Sequence, residues 1–125
     1  MARILIAEDS AYMRRLIRSI LERGGHSVEE AVNGDDCLRR LDGVQPDLLL
    51  LDLVMPERDG ISVLGRLKKQ GSRLPVIVLT ADIQESVRRG CLDLGAVDFL
   101  NKPPKEGPLL AAVDRALESG EGDGS

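Results

Sequence analysis

Hydrophobic and polar positions alternate in two regimes along this chain. Short aliphatic runs break into a polar group. Ile4-Leu5-Ile6-Ala7 runs into Glu8-Asp9, and Leu48-Leu49-Leu50-Leu51 into Asp52. Val76-Ile77-Val78-Leu79 runs into Thr80, and Phe99-Leu100 into Asn101-Lys102-Pro103. Runs this short and this apolar read as strands covered on both faces. Between them apolar residues recur at helical spacing, as in Met13, Leu16, Ile17, Ile20 and Leu21.

The pattern predicts strands over 3–7, 27–32, 48–53, 74–79 and 97–100. The second is the most polar, as an edge strand would be. Helices are predicted after Ser10, over 35–41, 60–69 and 82–94, and from near Pro108. Ser10 is a natural N-cap, and Asp82 with Glu85 three residues on has capping-box spacing. Gly24-Gly25 and Gly95 act as helix stops, Asn33-Gly34 as a turn, and Pro108 as a first-turn proline. Gly90 falls inside the fourth helix, where it costs about 1 kcal/mol relative to alanine. The last helix presents Leu109, Leu110, Val113, Ala116 and Leu117 as its apolar stripe. Five strands alternating with five helices predict a three-layer parallel α/β fold with right-handed crossovers. One domain over 1–119 is expected. The glycine- and acid-rich 120–125 reads as a flexible tail with no core to join.

A carboxylate directly after four leucines is costly inside a sheet. Asp52 therefore marks the point where a buried strand emerges into a cleft. Parallel α/β sheets form their sites beyond the carboxyl ends of strands, where all four polar groups fall. Acid, acid, hydroxyl and amine are expected to share one pocket.

Composition narrows what that pocket does. The chain has 125 residues, 42% hydrophobic and 30% charged, with a net charge of −4. An acidic balance argues against a nucleic-acid-binding surface. Tyr12 and Phe99 are the only aromatics, so base-stacking platforms are excluded. No apolar stretch approaches the ~18 residues of a membrane span. Met1-Ala2-Arg3 enters a strand at once, leaving no room for a signal peptide. A cytoplasmic location is expected. Cys37 and Cys91, far apart in apolar helical contexts, read as reduced core thiols.

Glu8, Asp9 and Asp52 would repel one another. At ~4 Å each like-charged pair costs about 4 kcal/mol at an effective dielectric of 20. Lys102 supplies one positive charge, and hard oxygen donors with few histidines suit Mg²⁺. A carboxylate in that setting can act as a nucleophile toward phosphorus, giving an aspartyl phosphate at Asp52. Lys102 would neutralise phosphoryl oxygens, with the hydroxyl of Thr80 and the backbone N–H of Ala81 as further donors. Taken alone, each residue reads blandly: Glu8-Asp9 as solvated caps, Thr80 as a helix cap, Lys102 as a surface lysine, Phe99 as core, His26 as a surface turn residue. Tyr12 lies off the helical stripe and reads as an exposed residue near the site. Their order along the chain is what changes the reading.

Several segments carry a family resemblance. They are Glu8-Asp9, Leu51-Asp52-Leu53-Val54-Met55-Pro56 with Asp59-Gly60, Thr80-Ala81, and Phe99 with Lys102-Pro103. Together they resemble the receiver domain of two-component response regulators, and in particular its single-domain chemotaxis members, over residues 3 to about 117. The resemblance implies a flavodoxin-like five-stranded parallel sheet in the order 2-1-3-4-5. It also implies Asp52 as phosphoacceptor, Asp9 as a direct Mg²⁺ ligand, Glu8 as a ligand through water, and the Val54 carbonyl as a further ligand. Thr80 and Phe99 would be switch residues, Lys102 would contact the phosphoryl group, and the Lys102-Pro103 peptide would be cis. The implied partners are a histidine kinase or histidine phosphotransfer protein and a downstream target on the helix 4/strand 5/helix 5 face. A monomer, with dimerisation on phosphorylation, is the implied state. Pro104, where many receivers have phenylalanine, departs from the pattern and should stiffen the loop. Phe99 lacks the hydroxyl of the common tyrosine, so its ring should prefer burial. Val54 and Asp82 occupy the positions that tune dephosphorylation.

Two other readings compete. A haloacid-dehalogenase-type phosphatase uses the same residue types, but it needs a second acid where Val54 stands and a cap domain this length does not provide. A phosphorylation-independent interaction module is the third reading.

Overall fold

The computed structural model describes residues 1–81 and 84–124, the side chains of 119–124 excepted. Its elements alternate as the hydrophobic pattern requires: β1 (Arg3–Ala7), α1 (Ala11–Arg23), β2 (Ser27–Ala31), α2 (Gly34–Val44), β3 (Leu48–Asp52), α3 (Gly60–Lys69), β4 (Val76–Thr80), α4 (Glu85–Asp93), β5 (Asp98–Asn101) and α5 (Glu106–Gly124). The strands form one parallel sheet in the order β2-β1-β3-β4-β5.

The sheet divides the interior in two, because successive side chains on a strand point to opposite faces. Ile4, Ile6, Leu48, Leu50, Ile77 and Leu79 face α1 and α5, packing on Ile17, Leu21, Leu109 and Val113. Leu5, Ala7, Leu49, Leu51, Val76 and Val78 face the other way, onto Cys37, Val63, Leu64 and Cys91 of α2, α3 and α4. Every residue of β3 and β4 is buried. Full burial of one such aliphatic side chain contributes about 1.5–3 kcal/mol, and strands apolar on both faces collect it twice.

Element boundaries moved where local chemistry overrode periodicity. β4 begins at Val76 rather than Leu74, since Pro75 has no N–H to give a ladder; its carbonyl accepts from Leu49 N at 3.0 Å instead. α2 runs past Leu41 to Val44 and closes on Gln45, which is left-handed at φ 49°. Asn33 is the N-cap of α2, its side chain accepting from Asp36 N at 2.7 Å. α4 begins at Glu85 after Gln84, and the expected capping residue Asp82 lies outside the described residues. Ser10 caps α1 as expected, accepting from Met13 N at 3.2 Å. α5 extends to Gly124, and the side chains of the expected tail at 120–125 lie outside the described residues.

Cys37 and Cys91 are free, buried thiols, and burial pushes Cys37 up to about 12. His26 is half-buried, and its Nδ1 accepts from Ala2 N at 3.1 Å, so it is a partnered turn residue. Among the described residues no helix is long and apolar enough to cross a membrane.

Candidate functional site

Register delivers the polar tips to one rim. Ala7 pairs with Leu51, Asp52 with Leu79 and Thr80 with Asn101. The next residue of β1 is therefore Glu8, level with Asp52, while Lys102 follows Asn101 one step beyond Thr80. Lys102 N donates to Thr80 O at 3.0 Å, which ties the β5 exit to β4. The Lys102–Pro103 peptide is cis.

Carboxylate oxygens of Glu8, Asp9 and Asp52 lie within 4.8 Å of one another. Glu8 and Asp52 are only 1% and 3% exposed, whereas Asp9 is open to solvent. Lys102 Nζ sits 2.7 Å from Glu8 Oε1 and 3.1 Å from Asp52 Oδ2. Glu8 Oε2 accepts from Ser10 N at 3.0 Å, and Asp52 Oδ1 from Val54 N at 3.3 Å. Burial raises the Glu8 carboxyl above its ordinary range, against the lowering pull of Lys102 and Ser10 N–H, and the nearby Asp52 charge adds to the rise. Burial works to lower Lys102, but the close Glu8 and Asp52 carboxylates outweigh that and hold the ammonium charged.

These residues fit a divalent cation. One lysine cannot balance three carboxylates. Glu8 Oε1 is buried with the ammonium near it but off the direction of a well-formed hydrogen bond. A hard, oxygen-only donor set with one open side is what Mg²⁺ takes, because it keeps part of its water shell.

The loop after β3 is shaped around Asp52. A Cβ on Gly60 would lie 2.3 Å from Asp52 O and 2.8 Å from Leu53 Cα. Only glycine allows that approach, and Gly60 N then donates to Leu53 O at 2.9 Å. Asp59 caps α3 through Ser62 N at 2.9 Å. Glu57 takes a positive φ of 70° within the same loop.

Of the residues expected at the site, Glu8, Asp9, Asp52 and Lys102 come together directly. Thr80 is buried on the same rim at the end of β4, and Ala81 follows it, exposed. Val54 reaches the site through its N–H, while the residue as a whole is 74% exposed. Phe99 does not join them: it is half-buried and packs against the core beneath α4. Tyr12 is exposed on α1, as expected. Pro104 is buried, so the second proline anchors the loop into α5.

Sequence reasoning missed Arg14. Its Nη1 donates to Glu8 O at 2.7 Å and Asp9 O at 3.1 Å, and its Nε to Glu30 Oε1 at 2.8 Å. The available signal was an arginine on the first turn of a helix that opens just after two acids.

The family model of the response regulator receiver domain matches residues 4–114. The chain is 45% identical over 120 residues to a protein-glutamate methylesterase/protein-glutamine glutaminase of Treponema denticola, covering 92% of this chain and 32% of that protein. It is 40% identical over 111 residues to the transcriptional regulatory protein DltR of Streptococcus agalactiae, covering 89% of this chain and 50% of the relative. It thus spans a third to a half of those relatives. Against the chemotaxis protein CheY of Bacillus subtilis it is 36% identical over 116 residues, covering 92% of this chain and 97% of CheY. Among solved structures, the receiver domain of the Francisella response regulator 1452 superposes with a TM-score of 0.90 at 28% identity, over 95% of this chain and 98% of that one. The fold, the rim of acids and the matched stretch agree: the chain belongs to the response regulator receiver domain family, the phosphoacceptor switches of two-component systems.

Proposed function

We propose that Asp52 is the phosphoacceptor. The observation that carries this reading is the meeting of three carboxylates within 4.8 Å, with Lys102 bridging Glu8 and Asp52. Asp9 and Asp52 would hold Mg²⁺ directly, with Glu8 acting through water and the Val54 carbonyl as a further ligand. When bound, the cation supplies positive charge at the phosphoryl oxygens.

A carboxylate oxygen of Asp52 attacks the phosphorus of a phosphohistidine. The P–O bond forms, the P–N bond breaks, and the electron pair leaves with the imidazole. Lys102 then shifts its hydrogen bond from Asp52 to the phosphoryl oxygens, where the Thr80 hydroxyl and Ala81 N–H also donate. The added charge, near −2, draws these groups inward and biases α4 and β5 between two arrangements, with Thr80 and Phe99 as switch residues. Hydrolysis of the acyl phosphate resets the site.

The donor is a histidine kinase or histidine phosphotransfer protein, and a downstream target reads the face made by α4, β5 and α5. The chain works in the cytoplasm as a monomer that can dimerise when phosphorylated. The family signals rather than carrying out metabolic catalysis, so the phosphatase reading is set aside.

The test is incubation with acetyl phosphate and Mg²⁺ followed by intact mass. Wild type gains one phosphoryl group and Asp52→Asn gains none. Equal gain in both would overturn the assignment, and no gain in wild type would favour the phosphorylation-independent module.

A further inference from the structure

Behind the acid pair, one guanidinium grips the main chain from which both carboxylates hang. Arg14 lies on the first turn of α1, its side chain 15% exposed. Its bonds to the pair go to the carbonyl oxygens of Glu8 and Asp9. Its Nε bonds Glu30 Oε1 on β2 at 2.8 Å. Glu30 is itself pinned: Arg18 Nη1 bonds its other oxygen, and Arg18 Nη2 donates to Val28 O at 3.2 Å. Burial works to raise the Glu30 carboxyl, but its bonds to Arg18 and Arg14 outweigh that and hold it lowered, so it stays charged.

We propose that Arg14, locked by Glu30, is a positioning residue for the cation site: it fixes the peptide units of Glu8 and Asp9, and so the direction in which both carboxylates are presented. The inference rests on reading Glu8, Asp9 and Asp52 as a Mg²⁺ site. Glu8 N is tied to Ala31 O at 3.1 Å and Glu8 Oε2 to Ser10 N at 3.0 Å. The two carbonyls that follow are held by Arg14. A charge-assisted fork is suited to this work, because a planar guanidinium offers several donors in fixed directions. A lysine would place one flexible charge in the same space. Mg²⁺ demands near-octahedral geometry, so small rotations of these peptide units translate into lost affinity.

The test is a calorimetric Mg²⁺ titration of the whole chain without phosphodonor, with a thermal melt of each variant. Arg14→Ala should weaken Mg²⁺ at least about tenfold, within the range found for outer-shell partners of metal ligands. Arg14→Lys should recover the melting temperature but not the Mg²⁺ affinity. Glu30→Gln should also weaken Mg²⁺, and the Arg14→Ala/Glu30→Gln pair should lose less than the sum of its parts, as groups acting in one unit do. Arg23→Ala, whose guanidinium bonds Ser19 and Glu106 away from the acid pair, should stay within about twofold of wild type. A smaller loss in Arg14→Ala, or full recovery in Arg14→Lys, would overturn the proposal and leave Arg14 a brace of the fold. If Arg14→Ala does not fold, Arg14→Lys and Glu30→Gln decide. Asp9→Asn is run in parallel. Loss of Mg²⁺ there with affinity intact in Arg14→Ala overturns the positioning role alone. Affinity intact in Asp9→Asn overturns the cation-site reading beneath it.

Discussion

Lys102 Nζ lies 3.1 Å from Asp52 Oδ2, joining residues fifty positions apart in the sequence. β4 stands between their strands, so the bond forms only when β3, β4 and β5 are in register. It also brings the ammonium to the buried Glu8. Replacing Lys102 with methionine removes the cation and keeps most of the apolar stem. Without Mg²⁺ this variant should melt below wild type, because a buried charge has lost its partner. Added Mg²⁺ should then raise its melting temperature more than it raises that of wild type. Thermal melts across a Mg²⁺ series check this, and equal slopes would contradict it.

Gly60→Ala should be costly. The new methyl meets the Asp52 carbonyl and the Leu53 Cα, both main-chain atoms that cannot swing aside. Overpacking of this kind destabilises by about 1–3 kcal/mol. Since the displaced atoms belong to Asp52 itself, phosphoryl uptake should fall as well. Urea unfolding gives the first quantity, and mass after acetyl phosphate gives the second. Gly65→Ala, in open space on the same helix, is the control and should stabilise slightly.

Asp36 sets part of the acid limit of stability. Burial works to raise its carboxyl, but hydrogen bonds from Val32 N–H, Arg39 and Arg40 outweigh that and hold it below the ordinary range. A carboxyl held low in the folded state contributes stability above its unfolded pKa, about 3.9. That contribution is lost as pH falls through the depressed folded value. Asp36→Asn should therefore lower stability by about 1–2 kcal/mol at neutral pH, less than a buried pair would cost because both arginines are largely exposed. The difference from wild type should close in strong acid. Urea unfolding across a pH series measures it.

Beryllofluoride with Mg²⁺, standing in for the phosphoryl group, should change hydrogen exchange in Glu85–Asp93 and leave Ala11–Arg23 close to its starting protection. Equal protection of Glu85–Asp93 in both states would count against the switch. Gly90, within that helix and with nothing within 4 Å of an added Cβ, gives a second arm. Gly90→Ala should raise helix stability by about 1 kcal/mol and reduce the exchange change.

Much of this was legible in the sequence, for a physical reason. Strands buried on both faces have to be apolar throughout, so the polar residues ending β1, β3 and β4 stand out, and with Lys102 after the half-buried β5 they located the rim. Boundaries were less legible where one backbone group decided them, as at Pro75 and Gln45. The capping box assigned to Asp82 lies outside the described residues. Arg14, Glu30 and Asp36 were the real omissions. Charged residues on an amphipathic helix or an edge strand look solvated in one dimension, and only the stacking of α1 on β2 reveals that Arg14 points back at main-chain oxygens. Phe99 was legible as apolar and inward-tending. Its place under α4, away from the acids, follows from β5 alternation, which puts Leu100 on the opposite face.

The divided interior has a mechanical meaning. Only Cys91 of α4 is fully buried among the described residues, whereas α1 sinks Ile17, Ile20 and Leu21. An element with so little apolar surface at stake sits at the low end of local stability. Val87, Leu94 and Phe99, all partly buried, are the other apolar contacts it and β5 make with a single aliphatic layer. The layer holding α1 and α5 lies across the sheet and shares none of those contacts. In the proposed switch, the deeply packed half would keep the acids aimed while the lightly packed half registers what happens to them.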